Sequence, residues 1–167
     1  MPPTTVLVSD TSVLLDLERG SLLIASFRLR CDFAVPDLLY ERELKPYGGE
    51  HLRRQGLRVE ALDGAGVAQA LEYRRARRAL SLPDSFALAL AKVNAWMLLT
   101  GDAELRRLAE RERVACHGLF WLLDRLSEEE VASRHELHAG LQAISLHPRC
   151  RLPKAEIRKR LADYRCA

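Results

Sequence analysis

Two short apolar runs of the same design govern what this chain can fold into. Val6-Leu7-Val8 runs into Ser9-Asp10-Thr11-Ser12, and Trp96-Met97-Leu98-Leu99 runs into Thr100-Gly101-Asp102. A short apolar run, partly β-branched and closed by a polar turn, reads as a buried strand of a parallel sheet. In open α/β sheets the carboxyl ends of the strands form the crevice where ligands bind. If both runs are parallel strands, Asp10 and Asp102 lie along one edge of one sheet.

The rest of the chain alternates in the same sense. Val13 to Glu18 reads as helical and Gly20 punctuates it; Leu22 to Leu29 resumes a helical pattern. Phe33-Ala34-Val35 is a second strand, and Pro36-Asp37 opens a helix that Pro46 and Gly48-Gly49 end. Leu57 to Leu62 is a short edge strand or an extended linker. Val67 to Leu80 reads as a helix with Arg74, Arg75, Arg77 and Arg78 on its outer face. Ser81-Leu82-Pro83-Asp84 has the Pro and the acid of a helix start. Phe86 to Ala95 is apolar all round, which predicts burial against the sheet.

Ala103 to Arg113 is amphipathic, Val114 to His117 a further short strand, and Gly118 to Leu126 another helix. Ser127 with Glu130 fits a capping box for a helix to about Leu146. Pro148 breaks it, and Pro153 opens a last basic helix through Arg160. The alternation predicts an α/β fold: three layers, α/β/α, around a central, mostly parallel sheet, plus a C-terminal helical extension. Residues 1–126 would form the core. Residues 127–167 would form an extension whose Val131, Leu137, Leu141, Ile144, Leu152, Ile157 and Leu161 recur at near-helical spacing. That spacing predicts packing on the core or on a second subunit.

Composition narrows the class. With 167 residues, 48% apolar and 29% charged, the chain suits one folded domain, and no apolar run nears a membrane span. Met1-Pro2-Pro3-Thr4-Thr5 lacks the basic head and apolar body of a signal peptide, so the expected location is cytoplasmic, with no membrane partner. A net charge of +3 does not by itself call for a nucleic-acid partner. Cys31, Cys116, Cys150 and Cys166 form no CxxC pair and read as free thiols. His135 and His138 are spaced as HxxH, but in a polar helix without a Cys pair they read as a solvated face, not a zinc site.

The acids carry the chemistry. A right-handed βαβ crossover runs its helix antiparallel to the strands, so the helix's first turn sits at the strands' carboxyl edge. Asp84 is in such a first turn. Glu41 and Glu43 lie one to two turns into the helix after the second strand. Each acid has an ordinary explanation: Asp84 favours the helix dipole, Asp102 caps a helix, Asp10 ends a strand, and Glu41 and Glu43 are solvated. Coincidence at one edge is what sets them apart. Clustered carboxylates raise one another's pKa unless a cation neutralises them, and oxygen-only donors suit Mg²⁺ or Mn²⁺. Ser12 and Thr100 are placed to hydrogen-bond the carboxylates.

Val8-Ser9-Asp10-Thr11-Ser12, Glu43-Leu44, Leu82-Pro83-Asp84-Ser85, and Leu99-Thr100-Gly101-Asp102 with Leu105-Arg106 resemble the motifs of PIN-domain proteins, which include the VapC-type ribonuclease toxins. The resemblance covers roughly residues 5–126. It implies a divalent-metal-dependent ribonuclease, acting on RNA through an acidic quartet that includes Asp10, Asp84 and Asp102. The same three would be the metal ligands. The family pattern of a Glu before an apolar residue favours Glu43 as the fourth acid over Glu41. The resemblance also implies a small antitoxin as partner and a homodimer. Arg74, Arg77 and Arg106 are expected to hold the RNA backbone.

Other classes fit less well. A non-catalytic PIN-like module binding RNA or protein is the alternative, and the intact acidic set argues against it. A haloacid-dehalogenase phosphatase needs a second Asp where Ser12 stands. A receiver domain needs an acidic pair before its phospho-acceptor strand. Ser9 has no GxSxG elbow around it.

Overall fold

The computed structural model describes residues 4–165. The readings of Met1 to Pro3 and of Cys166 lie outside the described residues. Five strands, β1 (Thr5–Ser9), β2 (Cys31–Pro36), β3 (Arg58–Glu60), β4 (Met97–Leu99) and β5 (Cys116–His117), form one all-parallel sheet in the order β3-β2-β1-β4-β5. Short apolar strands, covered on both faces, need no side-chain alternation. Val6, Leu7 and Val8 are accordingly all buried.

The pleat sends successive residues to opposite layers. Leu7 and Leu99 join the core on one face, Val8 and Leu98 the core on the other. The first face is covered by α1 (Thr11–Arg19), α2 (Leu23–Ser26), α8 (Leu119–Glu128), α9 (Arg134–Leu146) and α10 (Lys154–Arg165). The second is covered by α5 (Gly64–Ala76), α6 (Leu82–Asn94) and α7 (Ala103–Arg111). Two short helices, α3 (Asp37–Leu39) and α4 (Gly49–Arg54), lie between β2 and β3. This is the three-layer α/β/α arrangement. The small faces of Ala87, Ala89 and Ala91 let α6 lie directly on β1, β2 and β4.

The helix after β1 goes to one face and the helix after β4 to the other. The crevice between these adjacent strands is therefore a topological switch point, the usual ligand position in an open sheet.

Helix ends follow sequence chemistry. Asp10, Asp63, Ser81, Asp102 and Ser133 accept from the backbone N–H three residues on, each in extended conformation. The capping box belongs to Ser133 and Glu136, not to Ser127 and Glu130. Leu122, Leu123 and Leu126 keep α8 against the core through Glu128, so the chain turns later than its first S-x-x-E pattern indicates.

The stretch Leu22–Leu29 is helical only to Ser26, whose Oγ donates back to Leu22 O at 2.8 Å. The expected Val67–Leu80 helix starts earlier and stops at Ala76, leaving Arg77 extended and Leu80 folded into the α6 core. The helix opened by Pro36-Asp37 changes at Tyr40–Leu44 into a π-helical turn, then into a 3₁₀ turn, Lys45–Tyr47. Residues 57–62 contribute the edge strand β3, and 114–117 only the two residues of β5. The last helix runs on to Arg165.

The C-terminal helices share the core of the first layer. Leu137, Leu141, Ile144 and Ile157 are buried with Val13, Leu14 and Leu17 of α1. Backbones approach closely here: a Cβ on Gly140 would stand 2.7 Å from Leu22 Cδ1 and 2.8 Å from Gly20 O. Arg160 ties α10 to α8, donating to Asp124 Oδ2 at 3.1 Å and to Glu156 Oε1 at 2.8 Å, with its guanidinium over the Phe120 ring.

Candidate active site

The strand register assembles the centre. Ser9 pairs with Leu99, and Asp10 N donates to Leu99 O at 3.0 Å, which sets Asp10 beside Thr100. Thr100 Oγ1 donates to Asp10 Oδ2 in a short hydrogen bond. Asp10 Oδ1 accepts from Ser12 Oγ at 2.8 Å and from Val13 N at 3.0 Å. Asp10 is 2% exposed, so this buried carboxyl is held by three donors from two elements. Thr100 Oγ1 also accepts from Asp102 N at 3.0 Å, and Asp102 Oδ1 caps α7 through Leu105 N at 2.8 Å. One hydroxyl thus links the two acids that close the two strands.

Asp84 comes from the opposite layer, in the first turn of α6, with its N–H on Ser81 Oγ at 3.1 Å. Glu43 comes from the π-helical turn and accepts from Thr11 Oγ1 in a short hydrogen bond. A π-turn shifts the residues after it around the helix axis, and such turns concentrate at functional sites. Asp10, Glu43, Asp84 and Asp102 line one cleft of about 920 Å³ at the carboxyl edge of the sheet.

Burial pushes the Asp84 carboxyl up to about 6, with the charges of Asp10, Asp102 and Glu43 adding to it against the Ser81 hydrogen bond. Burial likewise raises Asp10; its hydrogen bonds to Thr100, Val13 and Ser12 oppose the rise, and the Asp102 charge reinforces it. Asp84 thus feels the charges of three carboxylates from distant segments of the chain.

Glu41 lies elsewhere: it is exposed and pairs with Lys45 at 3.0 Å. None of Arg74, Arg77 and Arg106 lines the cleft. Arg74 is exposed in the last turn of α5, Arg77 pairs with Glu104 at 3.5 Å, and Arg106 donates to Thr100 O at 3.1 Å. The sequence reading passed over Thr11, which holds Glu43, and Arg42, Tyr47, His51 and Arg149, which line the cleft wall. Thr11 stands inside the Asp10-Thr11-Ser12 stretch and was findable there. Nothing in the sequence links Arg149 to residues so far from it.

The family model described as "DUF3368: PIN domain" matches residues 6–165. The chain belongs to the PIN-domain family. The match runs through α9 and α10, past the residues 5–126 that carry the short motifs. Among solved structures, the chain is similar to a PilT N-terminus domain protein, SSO1118, from the hyperthermophilic archaeon Sulfolobus solfataricus P2. The identity is 14%, the TM-score 0.48, and the match covers 72% of this chain and 92% of that one. No curated protein matches it. PIN domains are generally nucleases and generally use divalent metal ions.

The donor chemistry of this PIN domain fits such an ion: carboxylate oxygens alone, with burial chiefly, and neighbouring negative charge besides, raising Asp84 and Asp10. As the side chains stand, no three His, Cys, Asp or Glu among the described residues are gathered closely enough to hold a metal. Among the described residues no helix is long and apolar enough to cross a membrane.

Proposed function

We propose that this PIN domain is a divalent-metal-dependent ribonuclease that hydrolyses RNA phosphodiester bonds. The observation that carries the reading is the gathering of Asp10, Glu43, Asp84 and Asp102 in one cleft, where the charges of the other three add to burial in raising the Asp84 carboxyl. Unpaired carboxylates at a switch-point crevice are costly without a function that uses their charge. Asp10, Asp84 and Asp102 would hold Mg²⁺ or Mn²⁺. A divalent ion bound there would polarise a phosphoryl oxygen and lower the pKa of a water.

The chain's own residues supply the rest. Ser12, Thr100 and Val13 N fix the rotamer of Asp10, so no reorganisation is needed when charge develops. Thr11 orients Glu43 toward the cleft. With a pKa of about 6, Asp84 exchanges a proton near neutrality. A cation nearby would bring it to the carboxylate form.

Cleavage of labelled RNA in Mg²⁺ or Mn²⁺, lost in EDTA, tests the proposal. Asp10→Asn, Asp84→Asn and Asp102→Asn should each abolish cleavage while leaving the circular dichroism spectrum unchanged. If RNA binds and all three variants cut as well as wild type, the activity belongs to a contaminant. The chain is then a non-catalytic PIN-like binding module.

A further inference from the structure

The acidic centre occupies one part of its cleft; part of the remaining lining is chemically different. It carries Arg42 from the π-helical turn, Tyr47 from the 3₁₀ turn, His51 from α4, and Arg149 from the α9–α10 connection. Tyr47 is 85% exposed, far more than any other large apolar or aromatic side chain in the cleft. Gly48 follows it at φ +90°, a left-handed conformation that turns the chain immediately after the ring. The side chains of Arg42 and Arg149 have no ion-pair partner among the described residues.

Arg149 is delivered by tertiary structure. Its N–H donates to His147 Nδ1 at 3.1 Å, and α9 before it is seated on α1 and α2 through the Gly20–Gly140 approach.

A polyanion approaching four carboxylates is repelled unless cations flank them. An exposed ring sharing one cleft with unpaired guanidiniums is the combination that takes single-stranded nucleic acid: the ring stacks an unpaired base and the guanidiniums neutralise phosphates. A base already paired in a duplex cannot reach such a ring.

We propose that Tyr47, Arg42 and Arg149 form a subsite for single-stranded RNA, in which Tyr47 stacks one unpaired base and the two arginines hold its flanking phosphates. The identity of the ligand rests on the ribonuclease reading above. The subsite explains why the C-terminal helices are integral to the fold: they carry Arg149 to the cleft. It also makes substrate selection a property of the wall, separate from the acidic centre.

The test is binding of a fluorescein-labelled single-stranded RNA by anisotropy, in EDTA, where no hydrolysis proceeds. Tyr47→Ala should raise Kd about tenfold, since stacking on one aromatic is worth roughly that factor or more, and Tyr47→Trp should restore it. Arg149→Ala should raise Kd and lower the slope of log affinity against log salt by about 0.7, the loss of one single-strand phosphate contact. Both positions are exposed, so folding is unaffected.

Wild-type affinity in either Tyr47→Ala or Arg149→Ala overturns the subsite. So does a duplex of the same sequence that loses affinity equally on Tyr47→Ala, and so does the absence of single-strand binding by the wild-type chain. Cleavage in Mg²⁺ is read separately. RNA bound through Tyr47 but never cut removes the nuclease reading and leaves the subsite. RNA cut with Tyr47→Ala unchanged in KM and Kd removes the subsite and leaves the nuclease.

Discussion

Asp84→Asn should stabilise the metal-free protein above neutral pH while abolishing cleavage. The Asp84 carboxyl rises from 3.8 to about 6 on folding, chiefly by burial, with Asp10, Asp102 and Glu43 adding repulsion. Taken whole, such a shift corresponds to ~3 kcal/mol of penalty on the charged form. Asp84 is only half-buried, and solvent screening brings this to about 1–2 kcal/mol. Asn also gives up the attraction of a first-turn carboxylate for the α6 N-terminus, roughly 0.5 kcal/mol. Repulsion and desolvation therefore outweigh the dipole, and the net gain should be about 1 kcal/mol.

The pH dependence follows from linkage. Between the unfolded pKa of 3.8 and the folded one of about 6, the folded state binds more protons, so the wild-type chain loses stability as pH rises through that window. Asn does not titrate. Its advantage should be absent at about pH 4, grow to about pH 6 and then level off. Urea unfolding in EDTA, followed by circular dichroism across this range, measures it. An advantage at alkaline pH no larger than at about pH 4 would refute the claim that Asp84 sits among like charges.

Millimolar Mn²⁺ or Mg²⁺ should raise the Tm of wild type and raise it less in Asp10→Asn, because the ion binds the folded state only; a thermal shift indifferent to metal counts against the site. Gly140→Ala should cost about 1–3 kcal/mol, because its Cβ meets Leu22 and the Gly20 carbonyl below 3 Å; unchanged stability would mean that α9 is not seated there. Arg160→Leu should open α10 to limited proteolysis at a loss of about 1–2 kcal/mol, since its guanidinium is tied to Asp124 and Glu156 and only 18% exposed; an uncut tail would show that the apolar contacts of Ile157 suffice.

The fold class was legible because its signals are local. Apolar runs of strand length, Pro83 near a helix start and the all-apolar Phe86–Ala95 stretch each carry their own meaning within a few residues. Asp10, Asp84 and Asp102 were legible for the same reason: each closes a strand or opens a helix, and chain direction alone puts such positions at one sheet edge. Helix ends were less so. Ser127-x-x-Glu130 and Ser133-x-x-Glu136 offer the same cap, and only the burial of Leu126 and Leu137 on either side of the turn selects the second.

Tertiary structure decided what depends on register and long-range approach. Pairing of Ser9 with Leu99 puts Thr100 on Asp10; a slip of one residue would turn it to the other face. The π-helical turn brings Glu43 to Thr11 and leaves Glu41 in solvent with Lys45, a choice of helical pitch that no residue spacing specifies. Arg149 reaches the cleft only because two glycines let α9 lie close against the end of α1. Sequence patterns report what each segment prefers; which distant segments meet is set by packing, and the chemistry of this cleft lies in those meetings.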